Sequence, residues 1–198
     1  MPTQTFRNLS AEKQRRILDA AIAEFCTHTF TDASINQIVK AADIPKGSFY
    51  QYFVGKEDVF LCVLQDIARQ TATIPPDDVD DEPVVDVFDA IMRDTKRQLG
   101  VARVNPLFVQ AAVLMELDYS EFITSLRKLS ARRYVDLVEK DIREGHMRPD
   151  IDAELLIDLI STFSLAQYQR SGPSAEQYLR KLDAVLSIIK RGVTSGRS

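Results

Sequence analysis

The chain has 198 residues, with 25 Lys+Arg against 29 Asp+Glu for a net charge of −4, 45% apolar residues, 7 Gly and 8 Pro. That length holds one large domain or two small ones, and the composition excludes a disordered or low-complexity chain. No apolar run approaches the roughly 20 residues that span a bilayer, and Met1–Ser10 has no hydrophobic signal core, so a soluble cytoplasmic protein is expected.

Apolar residues recur at spacings of three and four, which predicts an all-α chain of nine helices. Helix one follows Ser10 as its cap, with Ile17, Leu18, Ala21 and Phe25 along one stripe. Ser34-Ile35-Asn36-Gln37 reads as a capping box, in which the Ser34 oxygen and the Gln37 side chain satisfy backbone N–H groups reciprocally at the start of helix two. Pro45 suits the first turn of helix three. There Phe49 and Phe53 share one face, Gly47, Ser48 and Gln51 point the other way, and Tyr50 and Tyr52 flank them. Helix four runs from Lys56 to Thr73, with Glu57 and Asp58 at its positive end. Ile74–Pro83 is a proline- and carboxylate-rich connector whose spacing matches no calcium loop.

Helix five covers Pro83–Leu99 and helix six opens at Asn105-Pro106. Helix seven spans Ser120–Glu144 and stops at Gly145, which suits a left-handed C-terminal position. Asp152 caps helix eight, which ends at Ser171-Gly172-Pro173. Ser174-Ala175-Glu176-Gln177 opens helix nine as a second capping box, and Val193–Ser198 forms a tail.

Helices two and three, joined across Ala41-Ala42-Asp43-Ile44, make a helix-turn-helix whose second helix is of the kind that enters a DNA major groove. The two phenylalanines anchor it, while Lys46, Ser48, Tyr50, Gln51 and Tyr52 offer donors and one cation outward. Gly47 allows close backbone approach, and Lys56 adds a cation at the start of helix four. Residues 1–56 carry seven Lys/Arg against five Asp/Glu, a net +2, which leaves −6 for the remainder. The charge asymmetry favours docking on DNA through the N-terminal end.

Over Ser10–Val63 the sequence resembles the tetracycline-repressor (TetR) family of bacterial transcription regulators. The resemblance rests on Ile17-Leu18-Asp19-Ala20-Ala21, Phe25, Phe30, Ser34-Ile35, Ile38-Val39-Lys40-Ala41-Ala42, Lys46-Gly47-Ser48-Phe49-Tyr50-Gln51-Tyr52-Phe53 and Lys56-Glu57. Three positions depart from the family pattern. His28-Thr29 precede Phe30 where a glycine is usual, Asp43-Ile44 replace Gly-Val, and Tyr52 stands where histidine is common. The resemblance implies phosphate contacts from Tyr50 and Lys56, and DNA contacts from the start of helix two at Ser34, with Gln37 as a further candidate. It implies base-edge contacts from Lys46, Gly47, Ser48 and Gln51, with Tyr52 at base or phosphate. The expected domains are a DNA-binding head, 1–55, and a regulatory and dimerisation body, 56–198.

Helices eight and nine carry wide apolar stripes, and the resemblance implies that they form a four-helix homodimer interface through Leu156, Leu159, Ile160, Phe163, Tyr178, Leu182, Val185, Leu186 and Ile189. Dimeric heads match operator half-sites about one DNA turn, roughly 34 Å, apart or a multiple of that. Phe88, Met92, Phe108, Met115, Phe122, Tyr134, Phe163 and Tyr168 supply aromatic and thioether surface for an apolar effector pocket, or for plain core. The function expected is a repressor that a small apolar effector releases from its DNA operator by a population shift, helix four acting as lever. The rival is a ligand-binding helical dimer of the same fold without operator binding.

An enzyme is not expected, because no nucleophile–base set, phosphate loop or His-Glu-x-x-His run is present. No cofactor is implied. Cys26 and Cys62 fall on apolar stripes as structural thiols, and His28 and His146 have no spaced partner for a metal.

Overall fold

The computed structural model describes residues 2–72, 84–104, 106–171 and 174–194, the side chains of 70–72, 101–104, 106–109 and 171 excepted. Ten helices run through them: α1 (Gln4–Arg7), α2 (Ala11–Phe25), α3 (Ile35–Ala41), α4 (Lys46–Tyr52), α5 (Lys56–Ala72), α6 (Val87–Val104), α7 (Pro106–Leu117), α8 (Glu121–Arg143), α9 (Ala153–Ser171) and α10 (Ala175–Val193). No strand occurs among the described residues. The nine helices expected from the sequence correspond to α2–α10. The added α1 is one turn, too short to show a period. Thr3 caps it by accepting from the Phe6 amide.

Most helix ends lie where their chemistry places them. The Ser10 hydroxyl accepts from the Lys13 amide, Asp152 Oδ1 from Leu155 at 3.0 Å, and the Ser174 hydroxyl from Gln177. Gly145, at φ 76°, ends α8 in the left-handed conformation that suits a residue without Cβ. The connector 74–83, the Asn105 cap, the Gly172-Pro173 stop and the tail beyond Thr194 lie outside the described residues.

The chain divides into two compact units, Met1–Pro75 with Val101–Ser125, and Pro76–Gly100 with Leu126–Ser198. The boundary expected at 55/56 therefore differs from this division, because α5 packs along α2 in the first unit. Ile17, Ala21 and Phe25 of α2 are buried there with Val59, Phe60 and Ile67 of α5, and Arg15 reaches Asp66 at 2.7 Å. In the second unit Val87, Phe88, Ile91, Val135, Val138, Leu156, Ile157, Ile160, Tyr178, Leu182 and Leu186 form one core. Five residues expected at a dimer interface, Leu156, Ile160, Tyr178, Leu182 and Leu186, are thus buried within their own chain. Each stripe was wide enough for two faces, and these residues take the inner one.

Among the described residues, no helix is long and apolar enough to cross a membrane.

Candidate nucleic-acid interface

The head is assembled from the inside outward. Phe49 and Phe53 of the α4 segment are fully buried, their ring centroids 5.3 Å apart, and Phe53 meets Phe6 of α1 at 4.8 Å. Burying one such ring stabilises by about 1.5–3 kcal/mol. This fixes which way α4 faces. α1 also closes its far end, since Thr3 Oγ1 donates to the Gln51 carbonyl at 2.7 Å and the Thr3 amide to Tyr52 O at 3.0 Å.

The turn between α3 and α4 has a defined geometry. The Ile44 amide donates to Val39 O and the Asp43 amide to Lys40 O, with Asp43 at φ 50°. This is a helix C-terminal motif whose left-handed residue is usually glycine. Asp43 occupies that strained place here, and Arg16 Nε holds the adjoining Ala42 carbonyl at 2.9 Å.

The start of α3 is held differently from the expected capping box. The Ser34 hydroxyl makes no cap bond to the helix; instead, the Ser34 amide donates to Glu24 Oε1 of α2 at 2.8 Å. A partner ten residues earlier in sequence takes the role that local spacing gave to Gln37. Lys56 Nζ donates to Thr31 O at 2.9 Å and Ala33 O at 3.0 Å, and sits 4.9 Å from the centroid of the Phe30 ring. Two of its three ammonium hydrogens are thereby used inside the protein. Asp118, 2% exposed, accepts from the Thr31 amide at 2.6 Å and from Ser120 at 2.9 Å. Burial alone raises the Asp118 carboxyl, but the hydrogen bonds from Ser120 and Thr31 outweigh it and bring it down to about 2. Phe122 meets Phe30 at 4.7 Å beside this bond.

An open cleft of about 330 Å³ results, lined by Ala33, Ser34, Ile35, Asn36, Lys46, Tyr50 and Lys56. Four residues singled out from the sequence, Ser34, Lys46, Tyr50 and Lys56, therefore share one concavity. Tyr50 is 52% exposed, its ring set edge-on to Phe49, and Gly47, Gln51 and Gln37 are exposed while Ser48 is half-buried. Ile35 and Asn36 join the cleft without having been singled out; their place in the first turn of α3 was the available signal.

Tyr52 is a correction. It is 4% exposed, 6.2 Å from the Phe6 ring, with the Lys13 ammonium 5.9 Å from its centroid. Its ring is packing within the head and does not reach outward to base or phosphate. Helical geometry puts Tyr52 on a flank of α4, and it is the Phe6 ring of α1 that covers this flank.

The eight residues considered for an effector pocket are divided. Met115 and Phe122 belong to the first unit, and Phe88, Met92, Tyr134, Phe163 and Tyr168 to the second; the Phe108 side chain lies outside the described residues. Phe88 is core, and Met92, Tyr134 and Tyr168 pack against that core. Tyr134 donates to Asp94 at 2.7 Å; burial and this carboxylate push its hydroxyl pKa upward. Cys26 and Cys62 are buried, which raises both thiols and favours their unreactive form.

The family described as bacterial regulatory proteins, tetR family, matches residues 17–63. The HTH-type transcriptional repressor KstR2 of Mycolicibacterium smegmatis is 25% identical over 201 residues, covering 94% of this chain and 93% of that protein. The HTH-type transcriptional regulator SrpR of Pseudomonas putida is 25% identical over 190 residues, covering 90% of this chain and 81% of that protein. Among solved structures, a TetR family transcriptional regulator from Chloroflexus aurantiacus superposes with a TM-score of 0.67 at 26% identity, covering 99% of this chain and 100% of that one.

Proposed function

The chain belongs to the tetR family of bacterial regulatory proteins and is a DNA-binding transcription regulator, and from that premise we propose that it represses by seating α4 in the major groove of a palindromic operator as a homodimer. The observation that carries the reading is the cleft in which Ser34, Lys46, Tyr50 and Lys56 converge, backed by the buried Phe49 and Phe53. Lys46, Gly47, Ser48 and Gln51 read base edges, and Tyr50, Ser34 and Gln37 hold phosphates. Lys56 contributes mainly by fixing the Thr31 and Ala33 carbonyls at the rim, with its remaining hydrogen available to a phosphate.

The second head is supplied by a second copy of the chain. The exposed apolar residues Leu155 and Leu159 of α9 and Ile188 of α10, 66%, 56% and 60% exposed, support this surface, with Phe163, Val185 and Ile189 half-buried nearby in sequence. Large apolar side chains exposed on two neighbouring helices are the kind of surface a protein partner covers. Release follows when a small apolar effector binds the conformation whose head spacing does not fit the operator. The chain acts as a regulator and not as an enzyme.

A footprint of the full chain on the DNA flanking its own gene tests this. The expected result is two protected patches centred one helical turn, about 34 Å, or a multiple apart. Uniform coating of the DNA, or a lone protected patch, contradicts the paired-head reading.

A further inference from the structure

Where α8 ends, the chain folds back sharply. Gly145 is left-handed, and the amides of His146 and Met147 both donate to the Asp141 carbonyl, at 2.9 and 3.1 Å. Met147 then pairs with Thr194 after α10, which fixes the hairpin. This return places His146 Nδ1 3.9 Å from Asp141 Oδ1 and 3.6 Å from Glu144 Oε2. One donor atom from each of the three residues lies within 4.8 Å of the others. The spacing 141, 144, 146 runs across a helix end and through a left-handed turn, so a helical or strand period does not reveal it. His146 lacked a spaced partner in the sequence for this reason.

A second observation concerns Asp141 itself. It is 7% exposed, yet among the described residues no N–H or O–H donates to its carboxylate. Buried carboxylates ordinarily accept hydrogen bonds, and one that does not calls for a cation. The nearby cations are occupied elsewhere. Lys190 contacts Asp86 at 2.5 Å, and Lys140 lies 3.9 Å from the other oxygen of Glu144. Asp86 and Glu144 add further negative charge beside Asp141.

We propose that Asp141, Glu144 and His146 bind one divalent first-row transition metal ion, with zinc as the best match. Two carboxylate oxygens and an imidazole nitrogen, with solvent completing the shell, suit zinc, whereas calcium asks for six or more oxygens. Zinc bonds of about 2.0–2.2 Å set tetrahedral donors about 3.4 Å apart. The two separations from His146 approach this already, and the half-exposed Glu144 side chain closes the third by rotation.

Calorimetric titration of the full chain with zinc chloride decides the matter. One ion per chain is expected, with affinity at least about tenfold weaker in His146→Ala and in Glu144→Gln. His28→Ala, at the only other histidine, binds as the parent does. His146 and Glu144 are exposed side chains, so these variants retain the fold, and circular dichroism verifies it. Unchanged affinity in His146→Ala, lost affinity in His28→Ala, or no saturable heat with the parent overturns the site.

Discussion

The α3–α4 surface and the α9–α10 surface expose opposite chemistry. The first shows Gln37, Lys46, Gly47, Tyr50 and Gln51, and the second shows Leu155, Leu159 and Ile188. A polar and cationic face is stable in water and gains a partner by exchanging hydrogen bonds and counterions, so its binding is reversible and salt-sensitive. An apolar face gains by leaving water, with little dependence on salt. One chain can thus keep one partner while releasing the other, and the two faces should fail in different ways when altered.

The largest effect is expected at the apolar face. Leu159→Glu combined with Ile188→Glu puts charge where a second copy would sit, and sedimentation should change from dimer to monomer. Operator affinity then falls by about 10²–10⁴-fold, the usual gain from linking two sites. A double variant that still sediments as a dimer places the partner surface elsewhere.

The next effect concerns the support of the polar face. Asp118 holds the Thr31 amide, and Lys56 holds the Thr31 carbonyl, so both act on the approach to α3. The carboxyl moves from 3.8 to about 2 on folding. A depressed carboxylate contributes stability above its unfolded value, and the contribution is lost as pH falls through the folded value. Asp118→Asn should cost about 2 kcal/mol in urea unfolding at neutral pH, with the deficit shrinking between about pH 4 and pH 2. A deficit that stays constant with pH shows that the lost stability is not electrostatic.

The smallest effect is a gain. Two helices end in the same left-handed motif, α8 with Gly145 at φ 76° and α3 with Asp43 at φ 50°. Glycine carries no Cβ penalty there, so Asp43→Gly should raise stability by about 0.5–1 kcal/mol, read as a higher urea midpoint. A loss shows that the Asp43 side chain compensates its own strain.

How much of this was visible in the sequence depends on whether a residue's role is set locally. Caps at Ser10, Asp152 and Ser174, the stop at Gly145 and the buried face of α4 follow from neighbours within a few positions, and they were legible. The hold on Ser34 by Glu24, the burial of Tyr52 under Phe6 and the bond from Thr31 to Asp118 join distant positions, and no period records them. Helices α9 and α10 present the same difficulty. Apolar residues covered both sides, and only the packed core separates Leu156 and Ile160, turned inward, from Leu155 and Leu159, turned outward.

The central claim is that α4 lies against duplex DNA, and the salt dependence of operator binding tests it most directly. Lys46→Ala, which takes one cation out of the groove, should weaken binding, relax discrimination at the base it reads and flatten the slope of log affinity against log salt, while Tyr50→Phe, which loses a phosphate contact but no charge, weakens binding alike across sequences with the slope unchanged. If Lys46→Ala leaves both affinity and slope as in the parent, this face does not contact DNA and the account is contradicted.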